Sequence, residues 1–220
     1  KGKATVTGYA FPENETNFAS IVDKALAAKP DAILLVSYDE AKKAIPALKA
    51  KAFDAKNLYL VDGNLADYSK ESFAEYLNGA KGSLPGKATD KSFAAKLKAK
   101  YKAVTKKALT ELAYGAETYD AVILAALAAQ AAGTATGTGV KSQITNISLA
   151  GSGKVKVTNF AAGLKALKAG KKINFDGQSG PVEFDKNGDP TGAFIGIYRY
   201  GTAGTYAENL LKVVAGNTVK

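Results

Sequence analysis

Over the first sixty residues, short apolar runs alternate with stretches in which apolar positions recur every three or four residues. Residues 5–9 (TVTGY) are rich in β-branched and aromatic types and read as a strand. After Asn14, Glu15 and Thr16, the residues Phe18, Ile21, Val22, Ala25 and Leu26 follow the spacing of one helix face, and Pro30 ends the pattern. Residues 31–36 (DAILLV) form an unbroken apolar run, as expected of a parallel strand covered on both faces. Ser37 and Glu40 then have the spacing of a capping box before a second helix, whose buried stripe should be Ala41, Ala44, Ile45 and Leu48 and which Pro46 should bend. Residues 57–61 (NLYLV) read as a third strand, closed by a turn at Asp62, Gly63 and Asn64.

This βαβαβ rhythm predicts right-handed crossovers and a doubly wound α/β layer. Ligands in such sheets sit beyond the carboxyl ends of the strands. Ser37 and Tyr38 stand at one such end and Asp62, Gly63 and Asn64 at the next, so their side chains should converge on one crevice. Asp62 is the sharpest candidate. Its carboxylate could receive a ligand ammonium or cap its own turn, and position alone leaves both open.

The second half is more helical. The pattern predicts a short helix over 69–77, an edge strand and turn over 79–86, and a Lys-rich helix from Thr89 or Asp90 to about Val104. A long Ala-rich helix follows over 109–132, so uniformly apolar after Asp120 that it should be buried. Residues 133–139 (GTATGTG) read as a flexible loop, and two more helices are expected over 140–149 and 159–167. Residues 180–185 and 193–200 read as antiparallel strands around a turn at Lys186, Asn187, Gly188, Asp189 and Pro190. The longest apolar run, 121–129, falls far short of the ~18–20 residues that cross a bilayer.

Composition enters chiefly through what it removes. Cys, His, Met and Trp are absent while Ala occurs 41 times, so Ser-His-Asp, Cys-His and His-bound zinc schemes lack their parts. Carboxylate, Lys and Tyr chemistry remain, and nothing in their spacing demands an active site; no catalytic residue, metal ligand or cofactor is expected. Residues 133–142 (GTATGTGVKS) imitate a phosphate loop, but Val140 separates the last Gly from Lys141 and a helix precedes it in place of a strand. Asp185, Asn187 and Asp189 imitate the start of a calcium loop, yet Pro190 replaces the required Gly and Gly196 stands where the Glu belongs, which favours a plain turn. The net charge of +10 comes almost wholly from Lys, with Arg199 the single arginine. Nucleic-acid readers lean on Arg, and these lysines fall on outer helix faces, so a solvated surface is favoured and no nucleic acid is expected. The alternative is a basic module that docks polyanions, nucleic acid or anionic lipid, with steep salt dependence.

Several stretches in order, 33–38 (ILLVSY), 45–48 (IPAL), 58–64 (LYLVDGN), 82–86 (GSLPG), 117–122 (ETYDAV), 175–184 (FDGQSGPVEF) and 188–190 (GDP), resemble substrate-binding proteins of branched-chain amino acid ABC transporters, which are type I periplasmic binding proteins. The resemblance implies two doubly wound α/β lobes joined by three crossovers, with a small ligand clamped between them. It assigns residues 1–107 and 191–220 to the second lobe and 108–190 to a mainly helical remnant of the first, whose opening βαβ units have no counterpart. It makes Asp62 the acceptor of the ligand ammonium and matches Ser37 or Tyr38 to an aromatic position lining the pocket; Asn64, from the same turn as Asp62, joins them as a candidate. It further implies non-enzymatic binding of a branched-chain or related amino acid by a monomer, delivery to a membrane permease, and a periplasmic or cell-surface location with or without a lipid anchor. Relatives often carry a cysteine pair near 158–160, where Val157 and Gly163 stand here. The chain opens on Lys with no apolar leader, so a mature or truncated form is expected.

Overall fold

Three short apolar runs, β1 (Ile33–Leu35), β2 (Leu58–Leu60) and β3 (Lys81–Pro85), lie side by side and parallel in the computed structural model, which describes residues 3–87, 89–185, 187–206 and 210–217, the last three as backbone. Ile33 pairs with Leu58 and Leu35 with Leu60, so these four share one face. That face is covered: Leu35, Leu58 and Leu60 are buried, together with Ala41, Ala44, Ile45 and Leu48 of helix α2 (Ala41–Ala50) and with Phe18 and Val22 at helix α1 (Ala19–Ala27). Each buried Leu, Ile, Val or Phe among them contributes on the order of 1.5–3 kcal/mol. The other face carries Leu34 beside Tyr59 and Tyr59 beside Lys81, whose ammonium lies 5.1 Å from the Tyr59 ring centre. Leu34 is 62% and Val36 64% exposed, so the apolar run at 31–36 is covered on one side only, contrary to expectation.

The sheet continues in the order β1-β2-β3-β6-β7, with β6 (Gly192–Arg199) and β7 (Leu210–Asn217). Gly79 donates its amide to the Tyr200 carbonyl at 3.0 Å and Tyr200 donates to the Ala80 carbonyl at 2.8 Å, so β6 runs back along β3. The expected edge strand is therefore interior. Gly82 is there for packing, because a Cβ would come 2.5 Å from Leu65. Residues 5–9 form no strand; 3–8 are all exposed, and a β-rich run needs a ladder partner to become one. The helix expected over 69–77 is a series of turns with one 3-10 turn, Glu75–Leu77.

A second group of elements surrounds its own core. Helix α3 (Lys91–Thr105) is capped by Asp90, which accepts from the Ser92 and Phe93 amides, and α4 (Gly115–Ala132) follows after Tyr114, held at φ 57°. Helix α5 (Gly137–Ser148) begins inside the stretch read as a flexible loop, since Thr136 caps it through the Gly139 amide. Strands β4 (Val155–Val157) and β5 (Ile173–Phe175) pair in parallel around α6 (Phe160–Lys168), whose cap is Asn159. Leu124, Leu127, Ala128, Ile147, Val157, Ile173 and Phe175 close this core. Helix α4 is buried along one side, through Leu124, Leu127 and Ala128, while Val122 is 63% exposed. Its Asp120 is buried and accepts hydrogen bonds from the Gln178 amide and from the amide and hydroxyl of Ser179. The strand expected over 180–185 is reduced to two isolated bridges, Asp176 with Pro181 and Phe184 with Pro190, because β6 pairs with β3 instead. Lys186 of that turn lies outside the described residues.

The chain divides into two compact units, residues 1–84 with 197–212 and residues 85–196 with 213–220. The boundaries read from the sequence stood at 107/108 and 190/191. Residues 91–105 instead join the second unit, since Phe93 meets the Tyr119 ring edge-on at 5.0 Å and Leu97 reaches Gly115. No single helix among the described residues is long and apolar enough to cross a membrane.

Candidate functional site

The carboxyl ends of β1 and β2 lie next to each other, because the two strands pair in register, and the chain leaves each end by a different device. After β1 the backbone turns into α2 under the control of Glu40, whose carboxylate accepts from the Tyr38 amide at 3.0 Å and the Asn14 amide at 3.2 Å. Bonds from the backbone amides of Glu40 itself, Tyr38 and Asn14 hold this carboxyl below the usual range. The expected capping box does not form, because α2 starts at Ala41 with Glu40 itself at the N-cap position. The Ser37 hydroxyl donates to the Tyr38 carbonyl and takes no part in capping.

After β2 the chain enters the 3-10 turn Asp62–Asn64. Asn64 is buried and fixes the turn from inside: its Oδ1 accepts from the Val61 amide at 2.8 Å, and its Nδ2 donates to the Leu35 carbonyl at 2.8 Å and to Ser37 Oγ at 2.9 Å. One amide thus joins the ends of both strands. Gly63 allows the close approach, since a Cβ would stand 2.8 Å from the Ser37 carbonyl and 3.0 Å from the Tyr38 ring.

A cavity of about 340 Å³ opens beside this junction. Tyr38, Gly63 and Asn64 form one wall and Asp67, Tyr68 and Lys70 another, with Asp39, Lys42 and Glu71 completing its charges. Asp39 and Lys42 pair at 3.1 Å. The far wall is held by aromatics: the Tyr200 hydroxyl donates to the Ala66 carbonyl at 2.8 Å and accepts from the Ala66 amide, while Tyr68 donates to the Asn64 carbonyl at 2.8 Å. Burial pushes the Tyr68 hydroxyl up to about 12 and the Tyr200 hydroxyl higher, so both stay protonated donors. The Ser69 amide, then the Ser69 hydroxyl, hold Asp67 below the usual carboxylate range.

Of the four residues singled out from sequence, Tyr38 and Asn64 line the cavity, with Tyr38 75% exposed. Asp62 is exposed and adjoins the lining through Gly63. Ser37 is turned inward, its hydroxyl engaged by Asn64. The 66–71 segment (ADYSKE), of which the sequence pointed only to Asp67 and Tyr68 and to neither as a chosen site residue, supplies half of the lining. Its dense polar composition after a strand and turn was the available signal. No group of three or more acidic residues suited to a metal ion occurs among the described residues.

A family model described as the receptor family ligand binding region matches residues 8–198. Among solved structures, the chain is similar to the leucine binding protein LivK of Thermotoga maritima MSB8, at 20% identity over 93% of this chain and 50% of that one, with a TM-score of 0.62. It is also similar to a type 1 periplasmic binding protein of Bordetella pertussis Tohama I, at 15% identity over 94% of this chain and 51% of that one, with a TM-score of 0.55. The chain therefore spans about half the length of these structures. No curated protein matches it.

Proposed function

The chain belongs to the receptor family ligand binding region and has the fold of type I periplasmic binding proteins, and on that footing we propose that it binds a small amino acid without transforming it. A branched-chain or related amino acid is the leading class, supported by the leucine-binding relative. The observation that supports the reading is the junction of two strand ends, where Tyr38, Gly63 and Asn64 line a cavity in the size range of small-molecule sites and Asp62 precedes Gly63 in the same turn. Asp62 receives the ligand ammonium by a charge-assisted bond, and the exposed Tyr38 ring covers the ligand. The protein acts as a monomer outside the cytoplasm and hands its ligand to a membrane permease. Closure of two lobes about a hinge supplies the movement that such delivery needs.

Calorimetric titration of L-amino acids into a chain extended to the full length of its relatives tests the reading. Asp62→Asn should weaken binding by about tenfold or more, the scale of one charge-assisted bond. Unchanged affinity would remove Asp62 from the site. Failure of every amino acid to bind would sink the proposal as a whole.

A further inference from the structure

Helix α3 is capped at its start by Asp90 and then carries lysines at 91, 96, 98, 100 and 102, with two more at 106 and 107 and no acidic residue between 91 and 107. Phe93, Ala94 and Leu97 are half-buried, and every other residue of the helix is exposed. The apolar stripe does not stop where the packing stops. Tyr101 follows Leu97 by four residues and Val104 follows it by seven, so both continue the row of Phe93 and Leu97, yet Tyr101 is 37% and Val104 67% exposed. At 100° per residue, Lys96 and Lys100 flank that stripe on one side and Lys98 and Lys102 on the other. None of the ion pairs among the described residues uses these lysines.

We propose that α3 docks this protein on an anionic lipid surface, with Tyr101 and Val104 entering the headgroup boundary and Lys96, Lys98, Lys100 and Lys102 resting on lipid phosphates. An exposed apolar stripe bordered on both sides by long cationic stems is the arrangement that lies in a membrane interface, where the stems follow the apolar boundary and the ammoniums stay at the headgroups. Two observations favour lipid over nucleic acid. The patch contains no Arg, the residue whose planar fork reads phosphate and base edges, and a bare Tyr and Val have no counterpart in a phosphate backbone. This inference is independent of the ligand reading, because it concerns other residues on another compact unit.

The test is co-sedimentation of the whole chain with vesicles of phosphatidylcholine containing phosphatidylglycerol, against vesicles of phosphatidylcholine alone, at low and high salt. Binding is expected only with the anionic lipid, and salt should weaken it steeply. Reversal of Lys98, Lys100 and Lys102 to Glu should cut partitioning roughly 100-fold or more. Reversal of the exposed Lys165, Lys168 and Lys171, which changes net charge equally, should leave it within about threefold. Circular dichroism confirms that each variant is folded. Since the chain contains no Trp, Tyr101→Trp provides a single reporter, whose emission should move to the blue on binding. Equal loss in the two triple variants, an unmoved emission, capture of duplex DNA but not vesicles, or no vesicle binding would each overturn the proposal.

Discussion

Asn64 engages the Val61 amide, the Leu35 carbonyl and the Ser37 hydroxyl at once, and it is almost wholly removed from water. Replacement by Ala takes this partner from the half-buried Val61 amide and the Leu35 carbonyl and leaves the Ser37 hydroxyl with only its bond to the Tyr38 carbonyl. Asn64→Ala should therefore destabilise the chain by about 2–4 kcal/mol in urea unfolding, and Ser37→Ala by about 1 kcal/mol. Asp62→Asn, which keeps the shape of an exposed side chain at the same turn, should cost less than Asn64→Ala in that measurement. The contrast separates residues that hold the site from one proposed to hold a ligand. Local sequence suggested a cluster at 37, 38, 62 and 64 but gave no means of ranking its members, because burial depends on partners almost thirty residues away. Tyr68 and Tyr76, both raised from 10.0 to about 12 by burial, add a pH dependence. A group whose folded value is raised contributes fully below its unfolded value and loses that contribution as pH climbs through the folded one. Stability should hold up to about pH 10 and fall between about 10 and 12, and tyrosinate absorbance should rise together with the loss of helical ellipticity.

Individual elements repeat the division between what is local and what is not. The stripe of α2 was legible in full, since Ala41, Ala44, Ile45 and Leu48 are all buried, and Pro46 sits inside the helix as read. Pro46 removes one backbone donor, so Pro46→Ala should raise the melting temperature, by an amount corresponding to no more than about 3 kcal/mol. Strands β4 and β5 escaped the reading because each has a polar residue at its centre, Lys156 and Asn174, in place of the unbroken apolar run of β1, and because their pairing forms across α6. The 177–180 loop is likewise held by a helix distant in sequence. Asp120 accepts three hydrogen bonds there, and Gly177 presses so close that a Cβ would stand 2.2 Å from the carboxylate. Asp120→Ala should cost about 2–4 kcal/mol in urea unfolding, whereas Asp120→Asn, which keeps an acceptor, should cost less.

For the whole molecule, the family was legible because its stretches run in order over nearly the entire chain, and the family model matches 8–198. Coverage of the sheet was not legible. Leu34 and Val36 read as core in an unbroken apolar run, yet they are open, since hydrophobicity alone does not say what lies above a strand. Ligand binding makes a prediction at this scale. A solute that binds only the folded protein, supplied at one hundred times its dissociation constant, should add about 2.7 kcal/mol of stability, visible in a thermal scan that tracks solute concentration.

The amide bracket of Asn64 also has a practical side. Because the turn is braced from beneath by Asn64 and the 66–71 segment by Tyr68 and Tyr200, the outward positions Asp62, Ala66, Ser69 and Lys70 can be randomised together without disturbing that frame. A designer seeking a reporter for a new analyte would diversify those four sites and leave the three inner ones untouched.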